Sequence, residues 1–173
     1  MRRLCLSLLA LCLATTVVRA QAQPGTGEYE IKAAFLYNFV RLVEWPAGAS
    51  TGSMRICIAG PHPIQERLEE TVRGETVEGQ PLVVRSILQP DTGCDVLFIP
   101  RRFGAASEYL RAVEGRPVLT VGEAPEFMQQ GGIANFFLEG KRVRFEINPT
   151  AASRVNLRIS SRLLQLARLV GPT

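Results

Sequence analysis

Histidine is nearly missing from this chain: His62 is the only imidazole among its 173 residues. An acyl-transfer triad therefore has no base outside Gly60-Pro61-His62-Pro63, and no serine sits in a G-x-S-x-G elbow. One histidine also leaves no zinc ligand set. Neither G-x-G-x-x-G nor a Walker A pattern occurs, so no phosphate-cradling loop is expected. The acidic pairs on offer, Asp91 with Asp95 and the Glu66, Glu69, Glu70 cluster, flank a strand start and form a solvated helix face. No cofactor, no metal and no catalytic residue are predicted. What remains is ordinary globular material, 46% hydrophobic and 21% charged, which excludes disordered, collagen-like and coiled-coil chains and supplies one domain's core.

Long hydrophobic runs are equally scarce, with a single exception at the start. Met1-Arg2-Arg3 is a basic n-region, Leu4 to Val18 is almost uninterrupted apolar sequence, and Ala20-Gln21-Ala22 fits a small-x-small cleavage site. Residues 1–22 read as a secretory signal peptide and 23–173 as the exported domain. A membrane anchor would need about 20 apolar residues and would have to carry Arg19 across. Cleavage after Ala20 or Ala22 removes Arg2, Arg3 and Arg19 and no acid, lowering the net charge from +4 to +1. Nucleic-acid binding thereby loses its electrostatic support and its compartment.

Four cysteines become two in the same way, since Cys5 and Cys12 leave with the leader. Cys57 and Cys94 remain in an oxidising compartment, where one structural disulfide is favoured over two free thiols. Their spacing is no C-x-x-C, which argues against thioredoxin-like redox chemistry.

From Glu28 to Glu44 the spacing predicts a helix with Ile31, Phe35, Phe39 and Leu42 on one face, widened by Leu36, Val40 and Val43. Trp45-Pro46 should end it, with Trp45 as a packing residue. MRICIAG, PLVVRSI, CDVLFI and PVLTV read as strands, and the nearly all-apolar CDVLFI as one buried on both faces. Helices are predicted over Ile64 to Arg73, Phe103 to Glu114 and, briefly, Ala124 to Gln130. IANFFLE and RVRFEIN should form an antiparallel hairpin about Gly140-Lys141, with Val143, Phe145 and Ile147 inward and Arg142, Arg144 and Glu146 outward. Asn148-Pro149-Thr150 opens a helical turn, and Ser160 or Ser161 caps a last helix, RLLQLARLV. The predicted fold is a single compact α/β domain. It has a mixed, mainly parallel sheet, helices on both faces, and a C-terminal antiparallel hairpin plus helix.

Charge is unevenly spread. Lys141, Arg142, Arg144, Arg154, Arg158, Arg162 and Arg168 face only Glu146 in the last third, a net +6, against −5 between the leader and Gly140. The last helix is so apolar that it is either deeply buried or a contact surface edged by arginine. Arg158, Arg162, Leu163, Leu166 and Arg168 are the candidate partner-binding residues. His62 reads as an exposed loop residue, its flanking prolines depriving any anion of backbone N–H donors. A different reading, a small-molecule-binding module, places a crevice at the strand ends near Gly60 to Pro63 and Pro100 to Phe103. There His62, Arg101 and Arg102 are the candidate ligand-binding residues, the arginines receiving an anion.

Three segments resemble the YfiR family of periplasmic regulatory proteins: YEIKAAFLYNFVRLVEWP, the pair ICIAG and CDVLFI, and VRFEINPTAASRVNLRISSRLLQLA. The resemblance implies a periplasmic, disulfide-containing, non-catalytic α/β protein that represses an inner-membrane diguanylate cyclase by binding its sensor domain and so lowers cyclic-di-GMP. It implies sequestration by an OmpA-like outer-membrane lipoprotein and a homodimer, with no nucleic acid as partner. A sensor kinase in place of the cyclase is the alternative target. This chain departs from the family's best-known pattern in lacking a second cysteine pair toward the C-terminus. Cys57 and Cys94 match the first pair.

Overall fold

Gly, Pro and Asp divide the chain into short apolar runs, and hydrogen bonding joins most of those runs into one sheet. A computed structural model describes residues 26–50, 52–103 and 106–171. The predicted signal peptide lies outside the described residues. The elements follow in the order α1 (Thr26–Leu42), β1 (Val43–Glu44), β2 (Met54–Ala59), α2 (Ile64–Val72), β3 (Thr76–Val77), β4 (Gln80–Ile87) and β5 (Val96–Ile99). After a 3-10 turn at Arg101–Phe103 come α3 (Ala106–Ala112), β6 (Leu119–Gly122), β7 (Ala134–Glu139), β8 (Arg142–Ile147), α4 (Pro149–Arg154), β9 (Arg158–Ile159), α5 (Ser161–Leu166) and β10 (Arg168–Leu169).

Eight strands form one sheet in the order β10-β8-β7-β6-β5-β2-β4-β3, and β1 pairs with β9 in a separate two-stranded ladder. The β8–β7 and β4–β3 pairs are antiparallel, and every other neighbouring pair in the large sheet is parallel. This is the predicted mixed, mainly parallel α/β architecture with its C-terminal hairpin and helix. Alternation along β2 and β5 feeds two cores. Ile56, Ile58, Val96 and Phe98 pack with α1 and α2, while Cys57, Ala59, Leu97 and Ile99 pack with Tyr109 of α3. That two-sided burial is why CDVLFI carries no outward polar residue.

Four local expectations change. The buried apolar stripe of α1 is Ala33, Leu36, Phe39 and Val40, continued by Val43 of β1, and Ile31 is 47% exposed. Spacing of 33, 36 and 40 satisfies helical periodicity as well as the stripe through Ile31, and packing against the sheet selects it. The helix expected from Phe103 to Glu114 is only Ala106–Ala112, preceded by the 3-10 turn; residues 104 and 105 lie outside the described residues. Ala124 to Gln130 is a run of turns, not a helix. Phe127, fully buried, dictates that path, since a Cβ at Gly132 would sit 2.2 Å from its ring. The last helix ends at Leu166, because Ala167 is extended and Arg168–Leu169 pair with Glu146–Ile147 of β8. The unpaired edge of β8 claims those residues and is covered by them.

Candidate functional site

In a parallel sheet the crevice for a ligand lies outside the strand C-termini where successive connections leave in opposite directions. Here β2 connects through α2 to β4 on one side, whereas β5 connects through α3 to β6 on the other. The loops after these strands, Pro61-His62-Pro63, Arg101-Arg102 and Glu123, line a crevice of about 930 Å3. Its second wall follows from register. Asn135 of β7 pairs with Gly122 at the end of β6, so the β7–β8 hairpin runs on past the sheet edge. The first turns of α1 supply Glu28, Tyr29 and Lys32.

Lys32 organises one side. It is 6% exposed, and its Nζ donates to Glu123 at 2.6 Å and to Glu28. Burial alone would lower its pKa, but the hydrogen bonds it donates to Glu123 and Glu28, with the charge of both carboxylates, outweigh burial and the net shift is upward, so it stays cationic. Glu123 also accepts the backbone N–H of Arg101 at 3.2 Å, seating the turn after β5. That turn is further fixed by Gly60, whose φ of +73° and missing side chain admit Phe103; a Cβ there would lie 2.1 Å from the ring.

On the other side, Asn135, Glu146 and Arg168 form a row across β7, β8 and β10. Asn135 Nδ2 donates to Glu146 at 3.1 Å, and Arg168 Nε donates to the same carboxylate at 3.1 Å. The Arg168 guanidinium lies 4.0 Å over the Phe137 ring. Asn135 is 2% exposed, and its Oδ1 is buried without a partner.

His62 is half-buried, correcting the exposed loop residue expected from its prolines. Its Nδ1 accepts the Ile64 N–H at the start of α2, at 3.3 Å. Its ring meets Tyr29 and Phe98 edge-on at 5.1 and 5.9 Å. Burial holds its pKa below 6.5. His62, Arg101 and Arg102 do line one cavity, as the strand-end argument expected. Neither arginine forms a salt bridge with the described residues.

The partner-surface residues separate. Arg158, Arg162 and Leu166 are exposed, Leu166 by 63%. Leu163 is corrected: it is 2% exposed and packs with the α1 core, because Ser160 caps α5 and turns that side of the helix inward. Arg168 is bound to Glu146 at the crevice. Trp45 packs half-buried on the core as expected. Asp91 and Asp95 hold the fold rather than a site, Asp91 pairing with Arg85 at 2.7 Å and Asp95 accepting the Arg55 N–H at 2.7 Å. Cys57 and Cys94 are joined in a buried disulfide that ties β2 to the segment before β5.

Sequence reading missed Lys32, Glu123, Asn135 and Glu146. Lys32 carries two signals, an i,i+4 pairing with Glu28 and a position on the stripe of Leu36. Asn135 is the one polar residue before the final glutamate of IANFFLE, a buried amide in an apolar strand. Glu146 gave no signal, because alternation in RVRFEIN assigns it to solvent.

The sequence pattern of the YfiR/HmsC-like family matches residues 29–168, most of the chain. The chain belongs to the YfiR/HmsC-like family. Membership supports, at the level of the family, a periplasmic regulator of cyclic-di-GMP signalling, and the YfiR-like family is regulatory rather than catalytic. A solved structure titled as a conserved domain protein from Vibrio cholerae O1 biovar El Tor strain N16961 is similar in fold. Its TM-score is 0.57 at 14% identity, covering 83% of this chain and 60% of that one. The chain thus spans less than two thirds of that protein's length, and the likeness is one of fold. Among the described residues of this YfiR/HmsC-like chain, no helix is long and apolar enough to cross a membrane.

Proposed function

We propose that this protein is exported to the periplasm and represses an inner-membrane diguanylate cyclase by binding its sensor domain. The observation that carries the reading is the family match over residues 29–168. The Cys57–Cys94 bridge supports the compartment, since such bonds persist where the surroundings are oxidising. Arg158, Arg162 and Leu166, exposed within the basic last third, form the contact surface. Arginines at its rim speed encounter with an acidic partner, and the leucine supplies affinity. The protein acts as a homodimer, and an OmpA-like outer-membrane lipoprotein relieves repression by sequestering it.

Deleting the gene should raise cellular cyclic-di-GMP and surface attachment, and restoring the wild-type chain should reverse both. Unchanged cyclic-di-GMP on deletion, with the protein shown to be expressed in the parent strain, overturns the cyclase reading in favour of a sensor kinase. The crevice favours a second activity alongside repression, recognition of a small molecule.

A further inference from the structure

We infer that the outer edge of β4 pairs with the same edge of a second copy of this chain, antiparallel about a two-fold axis, joining the two sheets into one. This pairing supplies the interface of the proposed homodimer and rests on that reading. β3 pairs with β4 only at Gln80 and Pro81, while β2 takes the opposite side from Leu82 to Ile87. From Val83 onward no strand among the described residues lies along the outer side. Backbone groups alternate between the two sides of a strand. The Leu82 N–H donates outward to Glu75 at 3.3 Å, and the Ile87 carbonyl accepts from Gly60 on the β2 side at 2.8 Å. The N–H and C=O of Val84 and Ser86 therefore point outward, past the end of β3. Exposed apolar side chains flank them, Val83 at 43% and Leu88 at 73%.

The far end of the sheet is guarded. There β10 covers β8 at Glu146 and Ile147, and Arg142 and Arg144 stand along the remainder. Edge strands are ordinarily blunted by charge, by proline or by a covering segment. Between Val83 and Leu88 the one charge is Arg85, already paired with Asp91 at 2.7 Å. A strongly charged partner finds no counter-charge on such an edge, whereas a neutral edge meets its own copy without repulsion. Two-fold pairing also closes on itself, using up the edge in both copies. Charge and cover select the register. An axis at Val84 needs the outward side of Leu82, which Glu75 occupies, and an axis at Arg85 sets two guanidiniums opposite each other. An axis at Ser86 sets Arg85 against Ile87 and Val84 against Leu88 of the second copy, giving the exposed leucine an apolar neighbour. Arg162 and Leu166 on α5, which leads into β10 at the other end of the sheet, stay uncovered in both copies.

The purified, disulfide-bonded protein tests this directly. Sedimentation equilibrium should show a monomer–dimer equilibrium. Amide exchange at Val84 and Ser86, followed by NMR, should slow about tenfold or more between a mostly monomeric and a mostly dimeric concentration. Val83→Lys with Leu88→Lys, both at exposed positions, should weaken dimerisation about tenfold or more and leave the melting temperature of the dilute monomer unchanged. Val84→Pro, which removes one outward donor while the bonds to β2 remain, should weaken it likewise. If the proline variant fails to fold, the lysine pair decides the matter. Dimerisation that the lysine pair leaves intact overturns this interface and leaves the homodimer standing. A wild-type chain that is monomeric at every concentration overturns the interface and the homodimer together. Protection of both amides at dilution, where the chain is monomeric, would assign the edge to another segment of the chain and also overturn the proposal.

Discussion

Leu163 and Leu166 sit three residues apart on the same short helix and have opposite surroundings. Truncating Leu163 removes a side chain packed against the α1 core, so Leu163→Ala should cost about 2 to 5 kcal/mol. Leu166→Ala should shift stability by no more than about 0.5 kcal/mol and weaken repression instead. Paired melting curves and cyclic-di-GMP assays separate the two, and a large loss of stability in Leu166→Ala would remove it from the contact surface. His62 makes a pH prediction. Its neighbours are Tyr29 and Phe98 in contact, with Glu123, Glu28 and Lys32 acting through charge; burial dominates and holds its pKa below 6.5. The unfolded chain therefore binds more protons in that range. The contribution of neutral His62 is fully present above the unfolded value and is lost as pH falls through 6.5 toward the folded one. His62→Asn, which keeps an acceptor for the Ile64 N–H, should flatten the fall in melting temperature between about pH 7 and pH 5. An unchanged slope would contradict the assignment. Single residues are also where sequence reading was weakest. The proline-flanked His62 and the alternating Glu146 both pointed to solvent, and only the arrival of α1 and of β10 against them puts them under cover.

At the scale of elements, sequence was informative where local chemistry and burial agree. The strands, the Gly140-Lys141 hairpin and the Asn148 and Ser160 caps follow from patterns a few residues long. The failures are elements whose end is set by a distant partner. Residues 168 and 169 leave the helical pattern to cover β8, and residues 124 to 130 turn so that Phe127 can be buried. The disulfide is the covalent counterpart of such long-range ties. Cys57 and Cys94 are 37 residues apart, and closing that loop should stabilise the fold by roughly 3 to 4 kcal/mol. Replacing both by alanine should lower the urea midpoint accordingly. A midpoint equal to wild type would show that the bridge adds nothing to the packing of β2 against β5.

At the scale of the molecule, the crevice opens at one end of the large sheet, and the exposed Arg158, Arg162 and Leu166 lie on β9 and α5 outside that sheet. The strand-end crevice lies beside the β7–β8 hairpin, and Arg168 on β10 joins it to the segment that carries Arg158, Arg162 and Leu166. The general place of the crevice was legible, because the loops that follow the predicted strands carry His62, Arg101 and Arg102. The rest of its lining was not, since Lys32, Asn135 and Glu146 converge from α1, β7 and β8, far apart in sequence. The proposed contact surface rests in sequence on a charge imbalance and an apolar helix, and the core takes Leu163 out of it. Repression by periplasmic contact is the proposed function. It is tested most directly in spheroplasts of the deletion strain, which expose periplasmic sensor domains to the medium. Adding purified wild-type protein outside should lower cyclic-di-GMP within the cells, and Arg162→Glu, still folded, should do so less well and with greater loss at high salt. Cyclic-di-GMP that stays unchanged on adding the wild-type protein would contradict the claim.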